Sequence, residues 1–207
     1  MAARKEPPLE LPLSFDEAYK DLSSQMRSLH ISRVDEMPRI ELYLDQVLSI
    51  VGMELGFMYG PDEKIVTGSM VNNYVKQHVV PAPLRKRYTR RHLATLLFVC
   101  AFKRVLSISQ IAEVFAMARA ADVDVEMAYD ELIGLLEQAL AVLFHEDPAV
   151  RSTAGPIEVR LVDSAGNRCA GTLERLLENA VVLLACKVYA DRMIALEAQC
   201  GGASIQL

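Results

Sequence analysis

One stretch of the chain, from Thr67 to Gln77, carries side chains suited to hydrogen bonding and contains no carboxylate. At helical spacing its apolar residues share one face, and the opposite face presents Ser69, Asn72, Asn73, Lys76 and Gln77. Asn and Gln amides can pair in a bidentate manner with adenine edges, while hydroxyl and ammonium groups can reach phosphates. The pattern is typical of the recognition helix of a helix-turn-helix. A short solvated polar helix is the alternative.

A cluster of cations follows this helix in the chain. Pro81 and Pro83 end the helix, and the next segment contains Arg85, Lys86, Arg87, Tyr88, Arg90 and Arg91. Thr89 is placed to begin another helix, whose first backbone amides can bind a phosphate. We expect a wing-like loop that contacts the backbone of a nucleic acid beside the recognition helix. A solvated basic loop is the alternative.

The distribution of charge along the chain supports the same interpretation. The 207 residues include 22 basic and 27 acidic ones, for a net charge of −5, yet residues 64–112 hold nine basic residues and no acidic one. The average acidic content would place roughly six carboxylates in that stretch. A positive field within an acidic protein suits a polyanion, because neutralised phosphates release counterions. The alternative is that this basic face pairs with the chain's own acidic halves or with an acidic partner protein.

The elements that must position these residues are predicted to be helical almost throughout. Capping residues and apolar periodicity predict helices over about 14–30, 38–55, 67–80, 89–105, 107–120, 122–145 and 172–199. The third is capped by Thr67 or Ser69, and the sixth by Asp122 or Asp124. The second is expected to turn inward Ile40, Tyr43, Leu44, Val47, Leu48 and Val51. The segment 157–170 allows one small β-hairpin.

Several short motifs occur in a recognisable order. They are Tyr74, the helix stop Val79-Val80-Pro81, the pair Tyr88-Thr89 with Leu93, and Ser107-Ile108-Ser109-Gln110-Ile111. In this order the stretch from Thr67 into the following helices resembles the DNA-binding module of the MerR-like regulators. Two departures stand out: Asn72 occupies a position where those proteins usually carry Arg, and the loop Gly56–Val66 lengthens the first turn.

A closer resemblance is to an uncharacterised bacterial family known as domain of unknown function number eighteen thirty-six. It rests on Leu42-Tyr-Leu-Asp-Gln-Val-Leu48, Thr67 with Met70-Val-Asn-Asn-Tyr-Val-Lys76, Pro81-Ala-Pro83, Lys86-Arg-Tyr88 and Leu106-Ser-Ile108. It covers about residues 38–120 and implies no activity. Only the MerR-like resemblance implies DNA binding.

The residue types that usually carry catalysis or bind metals show no pattern of that kind. Four cysteines and four histidines are scattered without ligand spacing, so we expect no metal, no cofactor and no enzymatic activity, and we expect the thiols to be buried. The longest uncharged apolar stretch has 10 residues, whereas a membrane span needs about 20. The N-terminus has no apolar stretch typical of a signal peptide, so the expected location is the cytoplasm.

These observations together predict an all-α bacterial regulator of transcription. We expect an N-terminal helical extension over 1–37, a MerR-like winged helix-turn-helix module over 38–120, and a C-terminal part over 121–207 whose two longer helices form a homodimer or bind a partner. The expected ligand is double-stranded DNA. The competing hypothesis is a protein-interaction module whose basic face docks on an acidic partner.

Overall fold

The structure, a computed structural model, describes residues 14–152, 157–169 and 171–201. Within these ranges the predicted all-α class is confirmed, and backbone pairing between extended segments is limited to isolated antiparallel bridges. The helices are α1 (Phe15–Arg27), α2 (Leu44–Leu55), α3 (Gly68–Lys76), α4 (Arg90–Phe102), α5 (Ile108–Ala120), α6 (Val125–Leu143), α7 (Pro148–Ser152) and α8 (Thr172–Gly201). A short 3-10 turn at Gly56–Met58 follows α2.

Helix α4 forms the centre of the molecule. The ten consecutive residues from Leu93 to Phe102 are all buried. A helix that is apolar on every side must be surrounded by other elements, and α4 packs against α2, α6, α5 and α8. Fully burying one large apolar side chain stabilises the fold by about 1.5–3 kcal/mol, so this helix contributes much of the core.

Most of the predicted helix starts are confirmed by capping hydrogen bonds. Ser14 and Glu17 form a capping box at α1, and Ser107 and Gln110 form one at α5. Asp124 caps α6 by accepting hydrogen bonds from two backbone amides, at 3.0 and 3.1 Å. These contacts are local in sequence, which is why residue types alone predict them.

The predicted start of the second helix at Pro38 is wrong. The chain is extended before α2 begins at Leu44, because the backbone of Leu42 pairs with that of Tyr88 through two hydrogen bonds of 2.8 and 2.9 Å. Extended backbone turns neighbouring side chains to opposite sides. Leu42 is therefore buried, whereas the next residue, Tyr43, is 54% exposed. Ile40 lies in the bend that precedes this segment and is 70% exposed, so both residues that were expected to face the core are at the surface.

The end of the third helix and the predicted hairpin also differ from expectation. Helix α3 stops at Lys76, because His78 takes a positive φ of 56° and the amides of Val79 and Val80 both bond to the carbonyl of Tyr74. The hairpin is reduced to one bridge, between Val162 and Arg168, around a turn held by the Asp163 carboxylate. Residue 170, the end of the predicted hairpin, lies outside the described residues, as do residues 1–13 of the predicted N-terminal extension.

Carboxylates of the helices hold the segment between α1 and α2. The amide of Ile31 donates to Glu137 at 2.6 Å, that of Ser32 to Glu54 at 2.9 Å, and that of Val34 to Asp130 at 2.9 Å. Arg33 pairs with the same Glu137. Hydrogen bonds from backbone amides to ionised carboxylates are among the stronger ones in proteins, so this segment is fixed to α6 and α2.

The segment 159–161 is held by hydrogen bonds of the same kind, from backbone amides to carboxylates. Its three consecutive amides donate to Glu178, Glu131 and Glu174 at 3.2, 3.2 and 3.0 Å. Glu174 is only 5% exposed, and its hydrogen bond satisfies it inside the protein. A substantial part of the acidic charge in the C-terminal half is therefore used to hold backbone in place.

The cysteines differ in their exposure to solvent. Cys100 is buried in α4, but Cys186 is exposed on α8, so the expectation that all four thiols are buried is wrong. The cause is that Cys186 lies on the solvent-facing side of α8.

Among the residues that the structure describes, no helix is both long enough and apolar enough to cross a membrane.

The central position of α4 gives a testable prediction. We expect Leu97→Ala to lower the free energy of unfolding by about 2–5 kcal/mol, because Leu97 is fully buried and its loss leaves a cavity. Met53→Ala, on α2 at a side chain that is 74% exposed, should change it by less than about 0.5 kcal/mol. Urea denaturation of both variants measures the difference. Equal losses would contradict the central role of α4.

Candidate nucleic-acid interface

Helix α3 presents its predicted polar face to solvent. The Thr67 hydroxyl caps the helix by accepting a hydrogen bond from the amide of Met70 at 3.2 Å, which confirms Thr67 over Ser69 as the cap. Val71 and Tyr74 are buried against the core and fix the rotation of the helix. The side chains left exposed are Ser69, Asn72, Asn73, Lys76 and Gln77. One amide pair interacts within this face, because Gln77 Nε2 donates to Asn73 Oδ1 at 3.3 Å.

A tight turn places two cations at the tip of the loop that follows α3, the basic loop or wing of residues 84–88. Arg87 N donates to the carbonyl of Leu84 at 2.9 Å, and between them Arg85 and Lys86 have positive φ values of 49° and 61°. Positive φ at both central positions is the signature of a type I′ turn, which favours Asn-Gly. Arg and Lys adopt it at a conformational cost, and strain of this kind clusters at functional sites. Both side chains are exposed.

The base of this loop is tied to the strand-like segment before α2. Tyr88 forms the bridge to Leu42 and is only 4% exposed, with its ring edge-on to His92 at 5.7 Å between centroids. The prediction that Tyr88 contacts nucleic acid is therefore not supported, because its ring is buried. Tyr88 instead fixes the position of the basic loop.

The Arg87 side chain lies on the ring of Tyr43, a residue that the sequence predicts to face the core. Its guanidinium carbon is 3.6 Å from the centroid of the Tyr43 ring, and Nη2 donates to the Tyr43 hydroxyl at 2.5 Å. Cation–π contact and hydrogen bond together restrict the Arg87 side chain before any ligand binds. No local signal marks Tyr43, because its exposure depends on the pairing of Leu42 with the distant Tyr88.

The first turn of α4 adds Arg90 and Arg91 to the same region. The predicted cap Thr89 is confirmed, and its amide donates to Nδ1 of His92 at 3.1 Å. The other ring nitrogen, Nε2, lies 3.4 Å from the carbonyl of Ala82. Burial lowers the pKa of His92, and the neutral ring can accept at Nδ1 while donating at Nε2. Neutral His92 thus links the start of α4 to the base of the basic loop.

Two of the nine cations in residues 64–112 do not belong to this surface. The Arg104 side chain is only 8% exposed; it pairs with Asp191 at 2.5 Å and Glu63 at 3.3 Å and lies over the ring of Tyr59. Lys103 donates to the carbonyl of Ile65, and burial lowers its pKa. Arg104 thus follows the alternative interpretation, in which basic residues pair with the chain's own acidic residues. Lys103 pairs with the backbone of the chain instead.

The other seven cations have no ion pair with the described part of the chain. No carboxylate of the described ranges lies within 4 Å of a charged nitrogen in Lys64, Lys76, Arg85, Lys86, Arg87, Arg90 or Arg91. Six of these belong to α3, the basic loop or the first turn of α4. The predicted cations of this surface therefore have no ion pair with the described part of the chain.

No grouping of three or more His, Cys, Asp or Glu residues able to hold a metal ion occurs within residues 14–152, 157–169 and 171–201.

The comparisons with known proteins bear on the same part of the chain. Residues 32–132 match the model of the family described as Domain of unknown function (DUF1836). The resemblance to that family is thereby confirmed over about half of the chain, from the segment before α2 into α6. No curated protein and no solved structure gives a significant match.

The position of His92 predicts a pH dependence of stability. Because the folded state lowers the pKa of His92, the unfolded chain binds a proton more readily, so stability is complete above the ordinary value near 6.5 and falls as the pH falls. In His92→Gln, the glutamine can cap Thr89 without titrating, as Gln46 and Gln110 do at α2 and α5.

Urea denaturation at about pH 7.5 and about pH 5.5 checks this prediction. The other three histidines are common to both proteins, so the difference between the two proteins reports on His92. We expect a smaller loss of stability on acidification in His92→Gln than in the wild type. An equal loss would show that His92 is not held neutral by the fold.

Proposed function

We propose that this protein binds double-stranded DNA through a MerR-like winged helix-turn-helix and regulates transcription. The observation that supports this most directly is that α3 exposes a row of amides while the basic loop and the first turn of α4 carry cations that have no ion pair with the described residues. The order α2, α3, basic loop, α4 and α5 is the one that the MerR-like resemblance implies. The longer connection between α2 and α3, which includes the 3-10 turn, is a departure from it.

In this proposal each part of the surface has a distinct task. Asn72, Asn73 and Gln77 hydrogen-bond base edges in the major groove, with Lys76 beside them. Arg85 and Lys86, at the strained tip of the wing, bind the phosphates of the flanking backbone. Arg90 and Arg91 add charge at the N-terminus of α4, where the helix dipole also favours an anion.

A homodimer is part of the proposal because one short helix supplies few base contacts, whereas two copies read two half-sites. The C-terminal helices are suited to that role. Val182, Leu183 and Ile194 of α8 are large apolar residues with 43%, 56% and 70% of their surface exposed. An open groove between α6 and α8 is lined largely by apolar side chains, among them Leu135, Val142 and Val182.

The competing function, docking of the basic face on an acidic protein, uses the same cations. The chain's own acidic residues do not neutralise this face, since Glu63 and Asp191 pair with Arg104 and several others accept hydrogen bonds from backbone amides. The basic face remains complementary to a regular array of phosphates.

The strained wing tip allows a test in which folding and binding change in opposite directions. Arg85→Asn with Lys86→Gly installs the residues that a type I′ turn favours, so stability should rise by about 1 kcal/mol. Affinity for a duplex should fall about ten-fold or more, because two phosphate contacts are lost. The matched control is Lys20→Gln with Arg175→Gln, which removes the same charge at two exposed positions on α1 and α8.

Fluorescence anisotropy of a labelled duplex measures the affinity, and urea denaturation measures the stability. We expect the control pair to bind within about two-fold of the wild type. Equal losses in both pairs would mean that only net charge matters and would contradict a role for the wing. Displacement of the duplex by polyglutamate at equal charge concentration would favour the acidic-partner hypothesis.

A further inference from the structure

A small apolar recess lies between α4, α5, α6 and the start of α8. Its volume is about 40 Å³, and its walls include Phe98, Val114, Leu132, Leu161 and Leu177. Both polar side chains that line it already have partners, since Thr95 donates to the carbonyl of Arg91 and Tyr129 to that of Ser32. One water needs about 10–15 Å³, so the recess has room, but its walls offer no free polar group to hold water.

The recess meets a larger groove beside the C-terminal end of α3. This groove has a volume of about 700 Å³ and runs between the end of α3, the first turn of α4 and the end of α5. Five residues line both spaces, namely Thr95, Phe115, Ala118, Val123 and Val125. The recess is therefore the apolar floor of a groove that opens to solvent.

The rim of the groove is positively charged. It carries Arg91 and Arg119, and neither arginine has an ion pair with the described residues. The single carboxylate on the rim, Asp122, already accepts a hydrogen bond from the Ser164 hydroxyl. The groove thus combines an apolar floor with two exposed guanidinium groups.

The backbone of the rim changes direction at two helix ends. Four non-glycine residues of the described chain have positive φ, and two of them, His78 at 56° and Asp122 at 50°, lie on this rim. The other two form the tip of the wing. At both positions the left-handed backbone ends a helix, because the amides of Val79 and Val123 bond back to the carbonyls of Tyr74 and Ala118 at the ends of α3 and α5.

We propose that the groove binds a small apolar molecule with one anionic head group, of the class of medium-chain or aromatic monocarboxylates. The apolar part lies on Phe115, Ala118 and Val123, and the carboxylate pairs with Arg119 and Arg91. An apolar cleft with a few convergent polar groups is the usual form of a small-molecule site. Charge-assisted hydrogen bonds from guanidinium groups orient the head group.

The site is placed to regulate the proposed DNA binding, and this part of the inference rests on that function. Val75 at the end of α3 forms one wall, and Arg91 belongs to both the groove and the basic surface. A carboxylate that engages Arg91 removes a phosphate-binding cation from the DNA face. Occupancy should therefore weaken DNA binding, and DNA should weaken ligand binding by the same factor.

Binding is tested first without DNA, by titrating the protein with the fluorescent anion anilinonaphthalene sulfonate and displacing it with octanoate. Octanoate should displace the probe, and octylamine, with the same chain and a cationic head, should not. Arg119→Gln should weaken octanoate binding about five-fold or more. Arg175→Gln removes an exposed arginine of α8 and is the matched control, expected to bind like the wild type.

A second variant tests the apolar floor. Ala118→Leu fills the junction of recess and groove and should abolish probe binding, while thermal unfolding shows that the protein remains folded. Unchanged binding in both Ala118→Leu and Arg119→Gln, or equal displacement by octylamine, would overturn the site. DNA anisotropy with and without octanoate then separates the two proposals. A site that binds octanoate in a protein that does not bind DNA would overturn only the regulatory role and the proposed function.

Discussion

The burial of α4 is the constraint on which the rest of the structure depends. Ten consecutive residues of this helix avoid solvent, so α2, α5, α6 and α8 must all pack around it. The two ends of the helix reach different surroundings. Its first turn emerges with Arg90 and Arg91 at the basic surface, while its last turn leads to Lys103 and Arg104 beside Tyr59. The same helix therefore separates cations that serve the fold from cations that face solvent.

Several acidic residues hold irregular backbone in place. Glu54, Asp130, Glu137, Glu174 and Glu178 accept hydrogen bonds from backbone amides of segments that form no regular structure. Buried amides need partners, and carboxylates on neighbouring helices provide them where no strand is available. Part of the negative charge is thus engaged with backbone, and the cations of α3 and the wing form no ion pair with the described residues.

The features that the sequence predicted well are local. The caps at Ser14, Thr89, Ser107 and Asp124, and the exposed face of α3, follow from residues within one or two turns of each other. The features it missed depend on contacts between distant parts of the chain. The bridge from Leu42 to Tyr88 shortens α2, exposes Tyr43 and buries Tyr88, and no local pattern reveals it. The burial of Arg104 against Asp191 is of the same kind.

The measurement that tests the central claim most directly is the salt dependence of DNA binding. The purified protein is titrated into a fluorescently labelled random duplex at about 50 and then about 200 mM salt, and anisotropy is followed. If the unpaired cations of α3, the wing and the start of α4 bind phosphates, affinity should be micromolar and should fall about ten-fold or more over that range. Absence of binding at the lower salt concentration would contradict the account.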